Sequence, residues 1–199
     1  MNSLKINSIQ ADAFREIGSI GCGNAITALS SLIGNRVSMD VPKMQILDFK
    51  DLSDVIGDPE RLMYSVLVTL SGDISGMMMF MLAKDSADVM INRMILPEYR
   101  QTDEIALSTL QEIGNILASS YLNALAMLVD IKIVPSPPYL AQDMCAAIMS
   151  VPAIEFGKMA DKVLFIESVF SAEIGDISGF FLLVPDLPSF NLIMSRMGV

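Results

Sequence analysis

The chain has 199 residues, 52% of them hydrophobic and 18% charged, so it is long and apolar enough to bury a core and is not a disordered tail. Its formal net charge of −10 argues against binding to nucleic acid or to an anionic membrane surface, because both attract clustered cations. The sequence has no histidine and 2 cysteines, which excludes Ser-His-Asp and Cys-His catalysis, histidine-containing zinc sites and a disulfide framework.

The first predicted element is a long amphipathic helix with Ser8 as its N-cap and its end near Gly34. Residues 17–35 are the best candidate for a membrane span, but their serines, asparagines and glycines make them too polar, so we predict no membrane insertion. A strand is predicted to begin at Val37, and residues 48–61 have a weaker helix-and-turn pattern. The rest of this half is predicted as strands 65–70 and 76–83, a hairpin turn at 71–75 between them, and a helix at 86–95.

The second half is predicted to repeat this order. A long helix with Thr102 as N-cap ends near Asp130, and a strand begins at Ile133. The remaining predicted elements are a helix at 142–150, strands at 162–168 and 179–184 with a turn at 173–178, and a helix at 188–197. Antiparallel strand pairs with separate helices predict an α+β fold, in which an antiparallel sheet packs with two long helices and several shorter ones.

Two segments of the first half recur in the second half, 96 and 103 positions later. Residues 12–42 align with 108–138 without a gap, and the pentapeptide GDISG occurs at 72–76 and again at 175–179. Each half is small for a hydrophobic core of its own. We therefore predict one pseudo-two-fold domain over residues 1–199, built from two homologous halves at about 8–97 and 104–199.

The cysteines and the methionine-rich strand are predicted to have structural roles. Cys22 and Cys145 are expected to be small buried hydrophobic residues in a reducing cytoplasm. Met77, Met78 and Met79 lie in a strand-like run and are expected in the core.

The two long helices each carry polar residues on one face. Glu112 and Asn115 are three positions apart and so lie side by side, one turn after Ser108, opposite an apolar face. On the first helix the equivalent residues are Asp12, Glu16 and Ser19. An ordinary solvated face explains this pattern on one helix. The repeated Glu-Ile-Gly weakens that interpretation, although gene duplication alone would also produce it.

These residues resemble the signature of the CheC phosphatases of bacterial and archaeal chemotaxis, whose relatives are CheX and FliY. The signature has Asp or Ser, then Glu four positions later, Asn three after that, and Pro after 22 further residues. The second copy matches it fully: Ser108, Glu112, Asn115 and Pro138. The first copy matches at Asp12, Glu16 and Pro42 but has Ser19 in place of Asn.

The resemblance implies a phosphatase that acts on the aspartyl phosphate of the response regulator CheY. Asn115 would orient the attacking water, and Glu112 would dock against the regulator's active-site lysine. The Mg²⁺ of the reaction is expected on the regulator, so the resemblance implies no cofactor or metal site in this chain. It also implies a second partner, the receptor deamidase CheD, for which Asp143 at the start of the predicted 142–150 helix is a candidate contact. Glu16 and Ser19 would form a degenerate second site.

Other functions compete with the phosphatase. One alternative is an adaptor that binds CheD or sequesters phosphorylated CheY with weak activity, and the degenerate first site favours this alternative. A flagellar switch role like that of FliY is disfavoured, because the sequence ends at Val199 and we expect no extra C-terminal switch domain. A CheX-type protein is disfavoured because CheX has one signature.

Overall fold

The computed structural model describes residues 7–34, 36–39, 43–48, 51, 57–94, 103–156, 162–172 and 175–198. The helices in these ranges are α1 (Ser8–Ile33), α2 (Lys84–Met94), α3 (Asp103–Val129), α4 (Cys145–Phe156) and α5 (Leu187–Arg196). The strands are β1 (Val37–Met39), β2 (Lys43–Asp48), β3 (Leu62–Gly72), β4 (Gly76–Ala83), β5 (Ile133–Pro135), β6 (Tyr139–Met144), β7 (Lys162–Ala172) and β8 (Gly175–Pro185).

All eight strands join one antiparallel sheet in the order β1-β7-β8-β4-β3-β5, with β2 also paired to β7 and β6 also paired to β3. This sheet, with its helices, confirms the predicted α+β class. The strand order is symmetric between the two halves. If each strand is exchanged with its counterpart in the other half (β1 with β5, β2 with β6, β3 with β7 and β4 with β8), the order reads the same from the opposite edge. Each half completes the edge of the other half's sheet, while descent of the halves from one ancestor stays a prediction.

Both faces of the sheet are covered, as the burial of β4 demonstrates. Met78, Phe80 and Leu82 face one core cluster, which contains the apolar sides of α1 and α3. The alternate residues Met77, Met79 and Met81 face a second cluster, which contains residues of α4. A strand buried on both faces is apolar at every position, so the methionine run is core, as predicted. Cys22 and Cys145 are also buried, as predicted.

The long helices end where the sequence predicts, and each is followed by a residue in the left-handed conformation. Gly34 caps α1 with φ 70°, and Asp130 follows α3 with φ 52°. The predicted N-cap of α1 is wrong by one residue. The cap is Asn7, whose side chain accepts from the Gln10 backbone while the Gln10 side chain accepts from the Asn7 backbone, and Ser8 is the first helical residue. Thr102 lies outside the described residues.

The predicted helix at 142–150 is wrong in its first turn. Gln142, Asp143 and Met144 are the last residues of β6 and pair with Tyr64, Met63 and Leu62 of β3, and α4 begins at Cys145. Pairing with a distant strand decides their structure, which local periodicity does not reveal. Distant pairing is also the reason why strands β2 and β6 are absent from the prediction. The turn predicted at 173–178 is also too long, because β8 begins at Gly175.

The two long helices run in opposite directions against the sheet. α3 ends beside the last residue of β3, since Gly72 pairs with Ile133 just after that helix. α1 ends beside the last residue of β7, since Ala172 pairs with Val37. Because β3, β4, β8 and β7 are successive antiparallel neighbours, β3 and β7 also run in opposite directions. The two helix C-termini therefore lie at opposite ends of the sheet.

Among the described helices, α3 alone is long and apolar enough to cross a membrane by length and composition. Half of its most apolar stretch is buried inside the protein. That burial is typical of the core helix of a folded domain, which passes the same test.

Candidate active site

The full motif lies on α3, whose burial pattern separates an apolar side from a polar side. Leu110, Ile113 and Leu117 are at most 2% exposed and pack in the core. Between them the chain presents Glu112, which is exposed, and Asn115, which is half-buried. Asp103 and Glu104 stabilise the N-terminus of this helix through its dipole. A rigid helix thus presents the carboxylate and the carboxamide one turn apart, as the spacing predicts.

The side chains of Glu112 and Asn115 make no hydrogen bond or ion pair with any described residue. Ser108, one turn earlier, is turned back to its own helix, where its Oγ donates to the carbonyl oxygen of Ile105 at 3.0 Å. The carboxylate and the carboxamide therefore remain available to a ligand or a water molecule, whereas the Ser108 hydroxyl is already engaged.

Gly114, between the two polar residues, brings α3 close to the sheet. A Cβ built on Gly114 would lie 2.4 Å from Cγ2 of Val66 on β3. Carbon atoms normally approach to about 3.5–4.0 Å, so only glycine allows this approach. The Glu-Ile-Gly tripeptide therefore combines an exposed carboxylate with a close approach of α3 to β3.

Pro138 lies beside the same helix. Its carbonyl oxygen accepts a hydrogen bond from Nε2 of Gln111, at 2.7 Å and partly buried. Gln111 was not predicted as a site residue, because a glutamine on the polar side of a helix gives no signal that distinguishes it from a solvated residue. The structure thus adds Gln111 to the residues around Glu112 and Asn115.

The first motif lies on α1 and has a similar but poorer set of residues. Glu16 and Ser19 are exposed on either side of Ile17, which is 1% exposed, and neither side chain has a partner among the described residues. Asp12 accepts from Nη1 of Arg15 at 2.5 Å in an exposed ion pair. Pro42 lies outside the described residues.

The two motifs are far apart. The C-terminal halves of the helices, 20–31 of α1 and 120–128 of α3, border a groove of about 600 Å³. Glu16 and Glu112 lie roughly ten residues, or about 15 Å of helix, before the middle of each stretch. Because the helices run in opposite directions, the two glutamates lie on the order of 30 Å apart, and the two motifs are well separated.

The remaining candidates lie elsewhere on the molecule. Asp143 is exposed on β6, where its Oδ1 accepts from the Met144 backbone N–H at 2.7 Å. Burial raises the pKa of the Cys145 thiol, which disfavours the reactive thiolate. Within the described ranges there is no group of three or more Cys, Asp and Glu residues that could hold a metal ion.

Residues 105–141, which include the second motif through Pro138, match the model of the CheC-like family. The chain is 30% identical to the CheY-P phosphatase CheC of Bacillus subtilis over 97% of its own length and 96% of that protein. The structure is similar to Thermotoga maritima FliY, with a TM-score of 0.76, 21% identity and 98% of each chain covered. It also matches the CheX–CheY–BeF3–Mg²⁺ complex of Borrelia burgdorferi, with a TM-score of 0.50, 17% identity and coverage of 90% and 99%.

Proposed function

The chain belongs to the CheC-like family, and from this membership we propose that it is a cytoplasmic phosphatase that hydrolyses the aspartyl phosphate of the response regulator CheY. The relative that is 30% identical over 97% of the chain is named for this activity. The observation that carries the proposal is the pair Glu112 and Asn115, side by side on α3 and without a side-chain partner among the described residues.

Asn115 has the chemistry needed to position the attacking water. A carboxamide both donates and accepts hydrogen bonds, so it can fix the orientation of a water molecule without titrating. The Gln that orients water in small GTPases works in the same way. Holding water in line with the P–O bond can supply a large part of the barrier reduction. No histidine is needed, and the sequence has none.

Glu112 has the chemistry needed for docking. Its exposed carboxylate can pair with a lysine of the regulator, and the pairing would place Asn115, one turn away, over the phosphoryl group. The Mg²⁺ of the reaction belongs to the regulator in this proposal. A partly desolvated charge pair at a protein interface also raises the association rate at low salt.

The test is the decay of phosphorylated CheY with catalytic amounts of the protein. Asn115→Ala should lose most of the activity and still bind phosphorylated CheY, whereas Glu112→Ala should lose both activity and binding. The matched controls are Asn123→Ala, an exposed asparagine farther along α3, and Glu155→Ala, an exposed glutamate on α4. Wild-type turnover by Asn115→Ala would disprove its assignment to water positioning.

A second candidate function is an adaptor that binds CheD or sequesters phosphorylated CheY. The observation that favours it is Ser19 on α1, where a hydroxyl replaces the carboxamide beside an intact Glu16. If the wild-type protein binds CheD or phosphorylated CheY with no faster decay, this second function replaces the first.

A further inference from the structure

Gln111 is the residue that links the active-site helix to the loop between β5 and β6. Its Nε2 donates to the Pro138 carbonyl oxygen at 2.7 Å, and both residues are half-buried. Proline has no N–H, so the carbonyl is the one backbone group through which Pro138 can be held in this way. The shielded position makes this hydrogen bond stronger than one in open solvent.

The other end of the same loop is tied to the sheet. The backbone N–H of Ser136 donates to the Thr69 carbonyl oxygen at 2.9 Å, and Oγ of Ser136 accepts from the Thr69 N–H at 3.0 Å. The next residue, Tyr139, pairs with Leu67, so segment 136–138 is held in the sheet on both sides, and the hydrogen bond from Gln111 ties its Pro138 carbonyl to α3. If this hydrogen bond is lost, the segment keeps its place in the sheet but is no longer tied to α3.

Gln111 is close to both residues of the proposed site. It precedes Glu112 directly and lies four positions before Asn115, so its side chain and that of Asn115 are neighbours, with Cβ atoms about 5–6 Å apart. Because Pro138 is bonded to Gln111, segment 136–138 contacts α3 one helical turn before Asn115. The equivalent position on α1 is occupied by Arg15, which pairs with Asp12 instead.

We propose that Gln111 is a positioning residue, which fixes segment 136–138 against α3 and so confines the water that Asn115 orients. This inference rests on the proposed phosphatase function. Loss of this confinement should slow the chemical step and leave binding of the regulator unchanged, because Glu112 can still dock the regulator when the segment moves. A shift of about 1 Å in such an arrangement can lower the rate on the order of 100-fold.

The test is Gln111→Met, which keeps the length of the side chain and removes the donor. We expect kcat for phosphorylated CheY to fall about tenfold or more, with KM unchanged and a melting temperature lowered by only a few degrees, because the Pro138 carbonyl loses its donor. Ser136→Ala, which weakens the other attachment of the segment, should shift kcat in the same direction. Gln142→Met, an exposed glutamine on β6, is the control and should behave like the wild type.

The outcomes separate this inference from the proposed function. A wild-type kcat in both Gln111→Met and Ser136→Ala overturns the positioning role while Asn115→Ala remains inactive. A rise in KM together with a large fall in melting temperature overturns it as well, because the two changes indicate a general structural role. If Asn115→Ala is fully active, the proposed mechanism itself fails, whatever Gln111→Met does.

Discussion

Replacing Gly114 with alanine tests whether the position of α3 on the sheet sets the activity. The new Cβ would lie 2.4 Å from Cγ2, 2.5 Å from Cβ and 2.8 Å from Cγ1 of Val66. Ordinary contacts are about 3.5–4.0 Å, so the helix must move from the strand by about 1 Å. Val66 cannot turn aside, because it is 3% exposed and its β-branched side chain has few rotamers.

The expected effect on stability is a balance of two terms. Overpacking costs about 1–3 kcal/mol, and alanine in place of glycine returns about 1 kcal/mol of helix propensity. The free energy of unfolding should fall by up to about 2 kcal/mol, which lowers the melting temperature of a domain of this size by up to roughly 8 °C. Because α3 carries Glu112 and Asn115, a displacement of about 1 Å should also lower phosphatase turnover on the order of 100-fold.

The measurements are thermal unfolding by circular dichroism and the decay rate of phosphorylated CheY. Gly23→Ala is the matched control, because Gly23 lies inside α1 and a Cβ there would meet nothing within 4 Å. This control should be stabilised by up to about 1 kcal/mol. A Gly114→Ala protein that melts like Gly23→Ala and turns over like the wild type would refute the reasoning.

Three further predictions concern other parts of the molecule. Ser19→Asn should raise phosphatase activity and restore part of it in the Asn115→Ala background; a double variant that stays inactive would mean that α1 carries no latent site. Asp143→Lys should weaken a complex with CheD without changing the circular dichroism spectrum, and unchanged affinity would place the CheD interface away from β6. Tyr121→Phe should raise the free energy of unfolding by about 1 kcal/mol, because the fully buried Tyr121 hydroxyl has no partner among the described residues. Tyr139 is 68% exposed, so the control Tyr139→Phe should leave the free energy of unfolding unchanged. Equal effects of the two tyrosine variants would contradict this account.

Much of the fold could be predicted because its signals are local. The ends of α1 and α3 follow from Gly34 and Asp130, and β4 follows from a continuous apolar run between a glycine and a lysine. Strands β2 and β6 escaped prediction because their hydrogen-bond partners lie far away in the sequence. Asp143, for instance, pairs with Met63 and so lies on a strand, although its neighbours have a helical composition.

The site was predictable to the extent that spacing on one helix determines it. A separation of three positions between Glu112 and Asn115 places both side chains on one face, and the structure agrees. The hydrogen bond from Gln111 to Pro138 was not predictable, because it joins residues of two elements whose contact depends on the whole sheet. The burial of Gly114 against Val66 is unpredictable for the same reason.

The exchange of edge strands between the two halves has a consequence for folding during synthesis. Val37 of β1 pairs with Ala172, which lies 135 positions later in the chain. At ribosomal speeds of about 5–20 residues per second, β1 remains unpaired for roughly 7–27 s until its partner in β7 is synthesised. The outer edge of β3 also stays open until β5 and β6 emerge. The nascent first half therefore presents unpaired strand edges, a known aggregation hazard, and the sheet can close only after β7 and β8 have been synthesised.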